Sequence, residues 1–280
     1  MVDGDIHEAA MEGDVETLRR LLAAGVDPNQ SAVVHAPGDF SDSGDPWRCT
    51  PLHAICYEDL PVDEALDDGH AVCVTALLEA GADPNAMDNR GQNALIVAAF
   101  SGRCRLGLML VAAGATVDSD YKALMYEDED DYDGYAGQGV LDALFKYRQP
   151  LMEKMVRALL SAGVSIAYED STDPAGVTSL EWAIWLEQRR VWPLLFRSGS
   201  PHPRLWPAMP DPYFARDYYG TTETRRMHPY LLKIDAAGSY ANYERAHLKR
   251  LSAIFAPKLT SLPEEIVAVV LGFWADVGAH

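Results

Sequence analysis

Five times along the chain, two adjacent apolar residues stand four and three positions ahead of a glycine. The pairs are Leu21/Leu22 before Gly25, Leu77/Leu78 before Gly81, Leu110/Val111 before Gly114, Leu159/Leu160 before Gly163, and Leu195/Phe196 before Gly199. Upstream of each pair lies another apolar position, Ile6, Leu52, Leu95, Leu144 or Leu180, that opens a short run with helical spacing. This pattern predicts two short helices per unit: one entering at the first apolar position and one burying the pair. The glycine ends the second helix by supplying a positive φ. Thr50-Pro51 is a helix start, because the hydroxyl caps the first turn and proline lacks an N–H that this turn leaves unused. Small residues after the first helix start (Ala9/Ala10 and Ala98/Ala99) let neighbouring helices approach closely.

The spacing shows where the repeat is interrupted. Successive glycines are 56, 33, 49 and 36 residues apart. Gly4, Asn93, Asp142 and Thr178 each precede their glycine by 21 residues, whereas Thr50 precedes Gly81 by 31. Four units therefore keep one helical body, and the second carries ten extra residues inside it. The other excess residues fall between units.

Thr50-Pro51-Leu52-His53 and Gly91-Gln92-Asn93-Ala94-Leu95-Ile96-Val97-Ala98-Ala99 resemble the ankyrin repeat, whose period is about 33 residues. The resemblance covers residues 1–203, with repeats at 4–36, 48–91, 92–124, 140–174 and 176–203. It implies an all-α fold: an α-solenoid of five ankyrin repeats with long acidic loop insertions, followed by a C-terminal helical extension over 204–280. Repeat four departs from the pattern at Asp142–Arg148. Repeat five places Glu181 and Trp182 where small residues are usual. The family binds proteins through its inner helices and inter-repeat loops. The resemblance also implies that His7 and His53 bond backbone at the loop–helix junction, and that Asn29 and Asn85 shape loops at a position hydroxylated in some relatives.

Charge changes this picture. The chain carries 42 acidic residues against 23 Lys and Arg, a net charge of -19. Three stretches hold nearly all the excess: 38–46 at -3, 58–68 at -6 and 118–133 at -7. The repeat framework is close to neutral. Such a surface repels nucleic acid and anionic bilayers, so neither is an expected partner. Aromatic residues accompany the acids: Phe40 and Trp47 at the first insertion, Tyr126, Tyr132 and Tyr135 at the third. Carboxylates beside rings suit a Lys/Arg-rich protein ligand through ion pairs and cation–π contacts. Trp47, Tyr57, Asp59, Tyr126, Asp128, Asp130 and Tyr132 are the candidate contacts. A plain alternative is that these loops are solvated and only keep the protein soluble.

Catalytic and metal-binding patterns are not found. Glu129-x-Asp131-x-Asp133-Gly134 matches half of a calcium loop, but Val140 stands where the closing Glu belongs. No His pair has ligand spacing, and Cys49, Cys56, Cys73 and Cys104 form no Cys-x-x-Cys, so they read as small buried hydrophobes. No cofactor and no enzymatic activity are expected. The acidic start lacks the layout of a signal peptide, and the longest apolar stretch, Ile266 to Ala275, is 10 residues, too short to span a membrane. The expectation is a cytoplasmic monomer, with the nucleus as the second compartment.

In the tail, Trp206–Tyr213 is too rich in proline for a continuous helix. A helix is predicted over Tyr240–Phe255 with Tyr243, His247, Leu251 and Ile254 on one stripe. A second begins at Ser261-Leu262-Pro263-Glu264, with capping-box spacing. Residues 261–274 resemble the start of an F-box, which implies a role as a ubiquitin-ligase adaptor using Leu262, Pro263, Ile266 and Leu271. The simpler reading is a cap for the exposed end of the stack.

Overall fold

The computed structural model describes residues 5–34, 46–57, 64–117, 140–145, 151–164, 166, 178–200, 229–255 and 266–267. The chain divides into two compact units, residues 1–165 and 166–280.

The first unit holds four helix pairs: α1 (Ile6–Met11) with α2 (Val15–Ala23), α3 (Pro51–Cys56) with α4 (Glu64–Glu79), α5 (Ala94–Phe100) with α6 (Cys104–Ala112), and α7 (Val140–Phe145) with α8 (Met152–Ser161). The odd-numbered helices pack against one another in chain order, and the even-numbered ones form a second layer in the same order. The starts of α1, α3 and α5 fall where the pattern predicts, but α7 begins at Val140, ahead of Asp142, so Leu144 lies near its end and not at its start. Asp5 accepts from the His7 N–H, Asp14 from the Thr17 N–H and Asn93 from the Ile96 N–H. Ile6, Leu52, Leu95 and Leu144 are buried, as is the first member of each apolar pair, Leu21, Leu77, Leu110 and Leu159. The second member is half-buried. The helix-ending glycines have φ between +87° at Gly25 and +94° at Gly163, a region that a side chain would disfavour.

Neighbouring repeats are clipped together at their loops. Asn29 donates from Nδ2 to the Gly81 carbonyl at 3.0 Å and accepts the Asp83 N–H at 2.7 Å. One repeat further on, Asn85 donates to the Gly114 carbonyl at 3.1 Å and accepts the Thr116 N–H at 2.9 Å. Each asparagine thus spans to the next repeat, and its local Asp (Asp27 or Asp83) holds its backbone N–H.

The ten extra residues of repeat two do not all form a loop. Gly13, Gly69 and Gly102 each precede a helix-ending glycine by 12 residues, so the excess lies between Tyr57 and Gly69. Part of it is helical, because α4 has 16 residues where α2 and α6 have 9. Gly69 allows this longer helix to dock: a Cβ there would sit 3.0 Å from the Gly13 carbonyl oxygen.

The second unit contains α9 (Ser179–Trp185), a 3-10 turn at Arg189–Val191, α10 (Trp192–Arg197), α11 (Pro229–Ala236) and α12 (Tyr240–Phe255). Glu181, unusual for its position, has a structural role. Its Oε2 accepts the Thr178 N–H at 2.8 Å, while Thr178 Oγ1 accepts the Glu181 N–H at 3.2 Å. This is a reciprocal capping box. Glu187 sits 12 residues before Gly199 with a φ of 55°, the left-handed turn conformation that Gly13 and Gly102 supply elsewhere. α12 matches the predicted span and packs against α10 and α11. Tyr243, His247 and Leu251 line its half-buried side; Ile254, expected on that stripe, is exposed.

Candidate partner-binding surface

The first acidic insertion leaves and re-enters the fold through a small hairpin. β1 (Ala32–Val33) pairs antiparallel with β2 (Arg48–Cys49), and the Val34 N–H donates to the Trp47 carbonyl at 2.9 Å. A third segment closes the hairpin, as Asn89 Oδ1 accepts the Arg48 N–H at 2.8 Å and Asn89 Nδ2 donates to the Pro46 carbonyl at 3.0 Å.

Trp47 anchors this stem, and its expected role as a surface contact needs correction. Its ring is 1% exposed, packed with Val34, Cys49 and Ala54. The indole N–H donates to Asp88 Oδ2 at 2.8 Å, and the Arg90 guanidinium lies 5.7 Å over the ring. Asp88 Oδ1 accepts the N–H groups of Arg90 and Gln92, so one carboxylate ties the loop ahead of α5 to the indole at the base of the first insertion. An aromatic side chain beside an acidic run looked like a contact residue; its neighbours Cys49 and Val34 draw it inward instead. Tyr57, 4.9 Å from Trp47 between ring centroids, is half-buried and keeps an accessible edge.

Asp59, Tyr126, Asp128, Asp130 and Tyr132 lie outside the described residues, as do Leu262, Pro263 and Leu271. Ile266 is described and is 47% exposed. In the second insertion, Asp68 lies on α4 and pairs with Arg105 of the next repeat.

The inner helices expose little. Pro51 through Cys56 on α3 and Ala94 through Ala99 on α5 are all buried. Exposed side chains in this region belong to the loops and hairpin: Val33, Arg48, Met87 and Asn89.

The histidines have structural roles. His7 Nε2 donates to the Cys49 carbonyl at 3.0 Å, and His53 Nε2 to the Gln92 carbonyl at 2.9 Å. Both carbonyls directly precede the helix-start residue of the next repeat, so the two rings form one ladder. His53 Nδ1 accepts from the Thr50 hydroxyl at 2.8 Å and from its N–H at 3.3 Å, the role that Glu181 plays in repeat five. A carbonyl can only accept, so His53 carries its proton on Nε2 and is neutral. Sequence reasoning overlooked His70, although Gly69-His70 occupies the register of Gly13-Asp14 and Gly102-Arg103. Its Nε2 donates to the Met11 carbonyl at 2.8 Å, and its Nδ1 lies 3.2 Å from Arg103 Nη2.

Burial is the main cause that lowers the His53 pKa below its ordinary 6.5. The unfolded state therefore binds this proton more readily, and folding stability is lost as pH falls below about 6.5. Urea midpoints are expected to drop between about pH 7.5 and about pH 5.5, and the drop should shrink in His53→Gln. An unchanged pH slope in that variant would rule out His53 as a source of acid sensitivity.

All four cysteines are buried and free, and burial pushes Cys49 up to about 12 and Cys73 up to about 11, so neither is a reactive thiolate. Among the described residues no group of three or more His, Cys, Asp or Glu side chains could hold a metal ion, and no helix is long and apolar enough to cross a membrane.

Comparison with known families gives a match over residues 6–123 to the model described as ankyrin repeats (3 copies). These residues are ankyrin repeats. Two curated relatives are similar over parts of the chain. One is E3 ubiquitin-protein ligase KEG of Arabidopsis thaliana, 28% identical over 166 residues, covering 58% of this chain and 8% of the relative. Another is palmitoyltransferase AKR1 of Kluyveromyces lactis, 30% identical over 121 residues, covering 36% of this chain and 15% of the relative. The chain thus spans only a small part of the length of either relative. The helix pairs of the first unit layer as expected of an all-α ankyrin solenoid, and its hairpin and asparagine clips hold inter-repeat loops in place.

Proposed function

We propose that this chain is a non-catalytic protein-binding scaffold that grips a Lys/Arg-rich segment through its inter-repeat loops. The observation that carries the reading is the hairpin stem. The chain on either side of the acidic run 38–46 is fixed at its base by Trp47, Asp88 and Asn89. Preorganised ends lower the ordering cost of binding. The buried inner helices move the contact region toward the loops. Tyr57, Asp59, Tyr126, Asp128, Asp130 and Tyr132 are the contact residues of this proposal; Trp47 is buried beside Tyr57 and is not among them. The two relatives are named for different chemistries, which favours a shared interaction module over a shared activity.

The test is titration of the full chain with a labelled Lys/Arg-rich peptide. Saturable binding should weaken with added salt and in a variant with Asp128→Asn and Asp130→Asn, as expected for attraction between exposed charges. Binding that ignores both changes would refute the loop reading.

A second reading, an adaptor of a ubiquitin ligase, is favoured by the exposure of Ile266 within the F-box-like stretch. It predicts that the full chain captures a cullin-complex adaptor and that Ile266→Asp abolishes the capture. Failure of the unmodified chain to capture one would discard this reading.

A further inference from the structure

The acidity of this protein is confined to one unit. Residues 1–165 carry 29 acidic and 11 basic side chains, whereas residues 166–280 carry 13 and 12. Within the second unit, α12 concentrates positive charge. Arg245, Lys249 and Arg250 are all exposed on it, and Lys233 is exposed on the adjoining α11. The one acid on α12, Glu244, is already engaged: its Oε1 accepts from Arg197 Nε at 2.7 Å and from Nη2 at 2.5 Å. Arg245 and Lys249 are one helical turn apart, a spacing that brings side chains onto one face. Ile254, one turn beyond Arg250, is 47% exposed, and Leu232 beside Lys233 is 43% exposed. His247 lies near Lys233 and Arg250, but its burial lowers its pKa, so it adds no cation at neutral pH.

We propose that the outward side of α12 is a second docking surface, which takes an acidic segment of another protein bearing aliphatic anchors. Charge complementarity defines the occupant. The cations on α12 have no acid of their own helix left to answer them; Arg245 and Lys249 form one edge of its exposed side, and Arg250 with Ile254, one turn further on, forms the other and adds an apolar contact. A polyanion is a poorer fit. A duplex or an anionic bilayer presents charge over a wide area and meets the field of a chain with a net charge of -19, whereas a short acidic helix meets only the local stripe. This surface is opposite in charge to the loop surface proposed above, so the scaffold joins a basic partner at one place and an acidic one at another.

Fluorescence anisotropy on the full chain tests the proposal, using a labelled helical peptide of Glu, Leu and Ala as the probe. The peptide should bind saturably and lose affinity as salt rises from about 50 to about 500 mM. Arg245→Glu with Lys249→Glu should weaken binding about tenfold or more, while Arg19→Glu with Lys154→Glu, also exposed but in the first unit, should leave it within about twofold. Ile254→Ser should weaken binding without changing the salt dependence. Circular dichroism confirms that each variant is folded. Four results overturn the proposal: no binding of the peptide, equal loss in the control pair, tighter α12-dependent binding to phosphatidylserine vesicles or duplex DNA, or a change in the protein's own sedimentation in the α12 pair. The last would mean that a second copy, through its acidic insertions, occupies the surface.

Discussion

Replacing Trp47 with alanine should lower unfolding free energy by about 3–5 kcal/mol, the range for deleting a large buried aromatic side chain. Two effects add at this site. The ring fills the space among Val34, Cys49, Ala54 and Tyr57, and its removal leaves a cavity among them. Asp88 also loses the indole donor to Oδ2 while remaining only 9% exposed. Trp47→Phe separates the two effects. It keeps most of the packing but removes the indole N–H, so it should cost about 1–3 kcal/mol, the penalty for leaving a buried acceptor unmade. Urea denaturation of both variants checks these values. If Trp47→Ala unfolds at the same midpoint as the parent, the indole is not the anchor of the hairpin. A milder corollary concerns binding: Trp47→Phe should still bind a basic peptide, because the ring is buried in the hairpin stem and is not itself a contact.

How much of this was legible in the sequence depended on whether a residue's role repeats. The helix-ending glycines, the buried leucines and the helix starts recur at fixed spacing, so each occurrence supports the others. The His7 and His53 ladder was readable for the same reason. Glu181 seemed out of place because the comparison was by residue type, yet a carboxylate accepts the cap N–H as well as an imidazole nitrogen does. His70 was missed because the insertion ahead of it hid its register; counting 12 residues back from Gly81 would have found it. Trp47 misled for a different reason. It lies beside an acidic run, just ahead of a two-residue strand, and composition alone does not say which side of the hairpin a side chain occupies. That depends on register, which the pairing of Ala32 with Cys49 and Val33 with Arg48 sets.

The insertions show how a repeat fold tolerates added chain. Within the first unit each repeat contacts its neighbours in order, so extra residues between repeats leave the stacking register intact. The first insertion is closed at its base by a hairpin. Part of the second extends α4, and its Asp68 reaches Arg105 on the following repeat. These attachments give the first and second acidic stretches structural footing in a framework whose own charge is close to neutral.

In the second unit, Trp192→Ala should be the most damaging single change, again at about 3–5 kcal/mol. Trp192 is 1% exposed on α10, a helix of six residues that is too short to persist without tertiary packing. Its ring lies 6.1 Å from Tyr230 on α11, and Tyr230 meets Tyr243 of α12 edge-on at 5.4 Å. Phe196 stacks on Tyr240 at 4.8 Å, and Arg197 holds Glu244, so α10 supports both later helices through aromatic and ionic contacts. The contrast with Trp47 lies in the hydrogen bond. The Trp192 N–H donates to the Ala183 carbonyl at 3.0 Å, but that carbonyl also accepts the Gln188 N–H at 2.8 Å and stays satisfied when the indole is removed. Trp192→Phe should therefore cost less than Trp47→Phe, about 0.5–1.5 kcal/mol. Hydrogen exchange across 229–255 provides the readout. Protection there should collapse in Trp192→Ala and persist in Trp192→Phe, because the helices of the extension are held by the ring rather than by its polar atom. Unchanged protection in the alanine variant would show that α11 and α12 stand without α10.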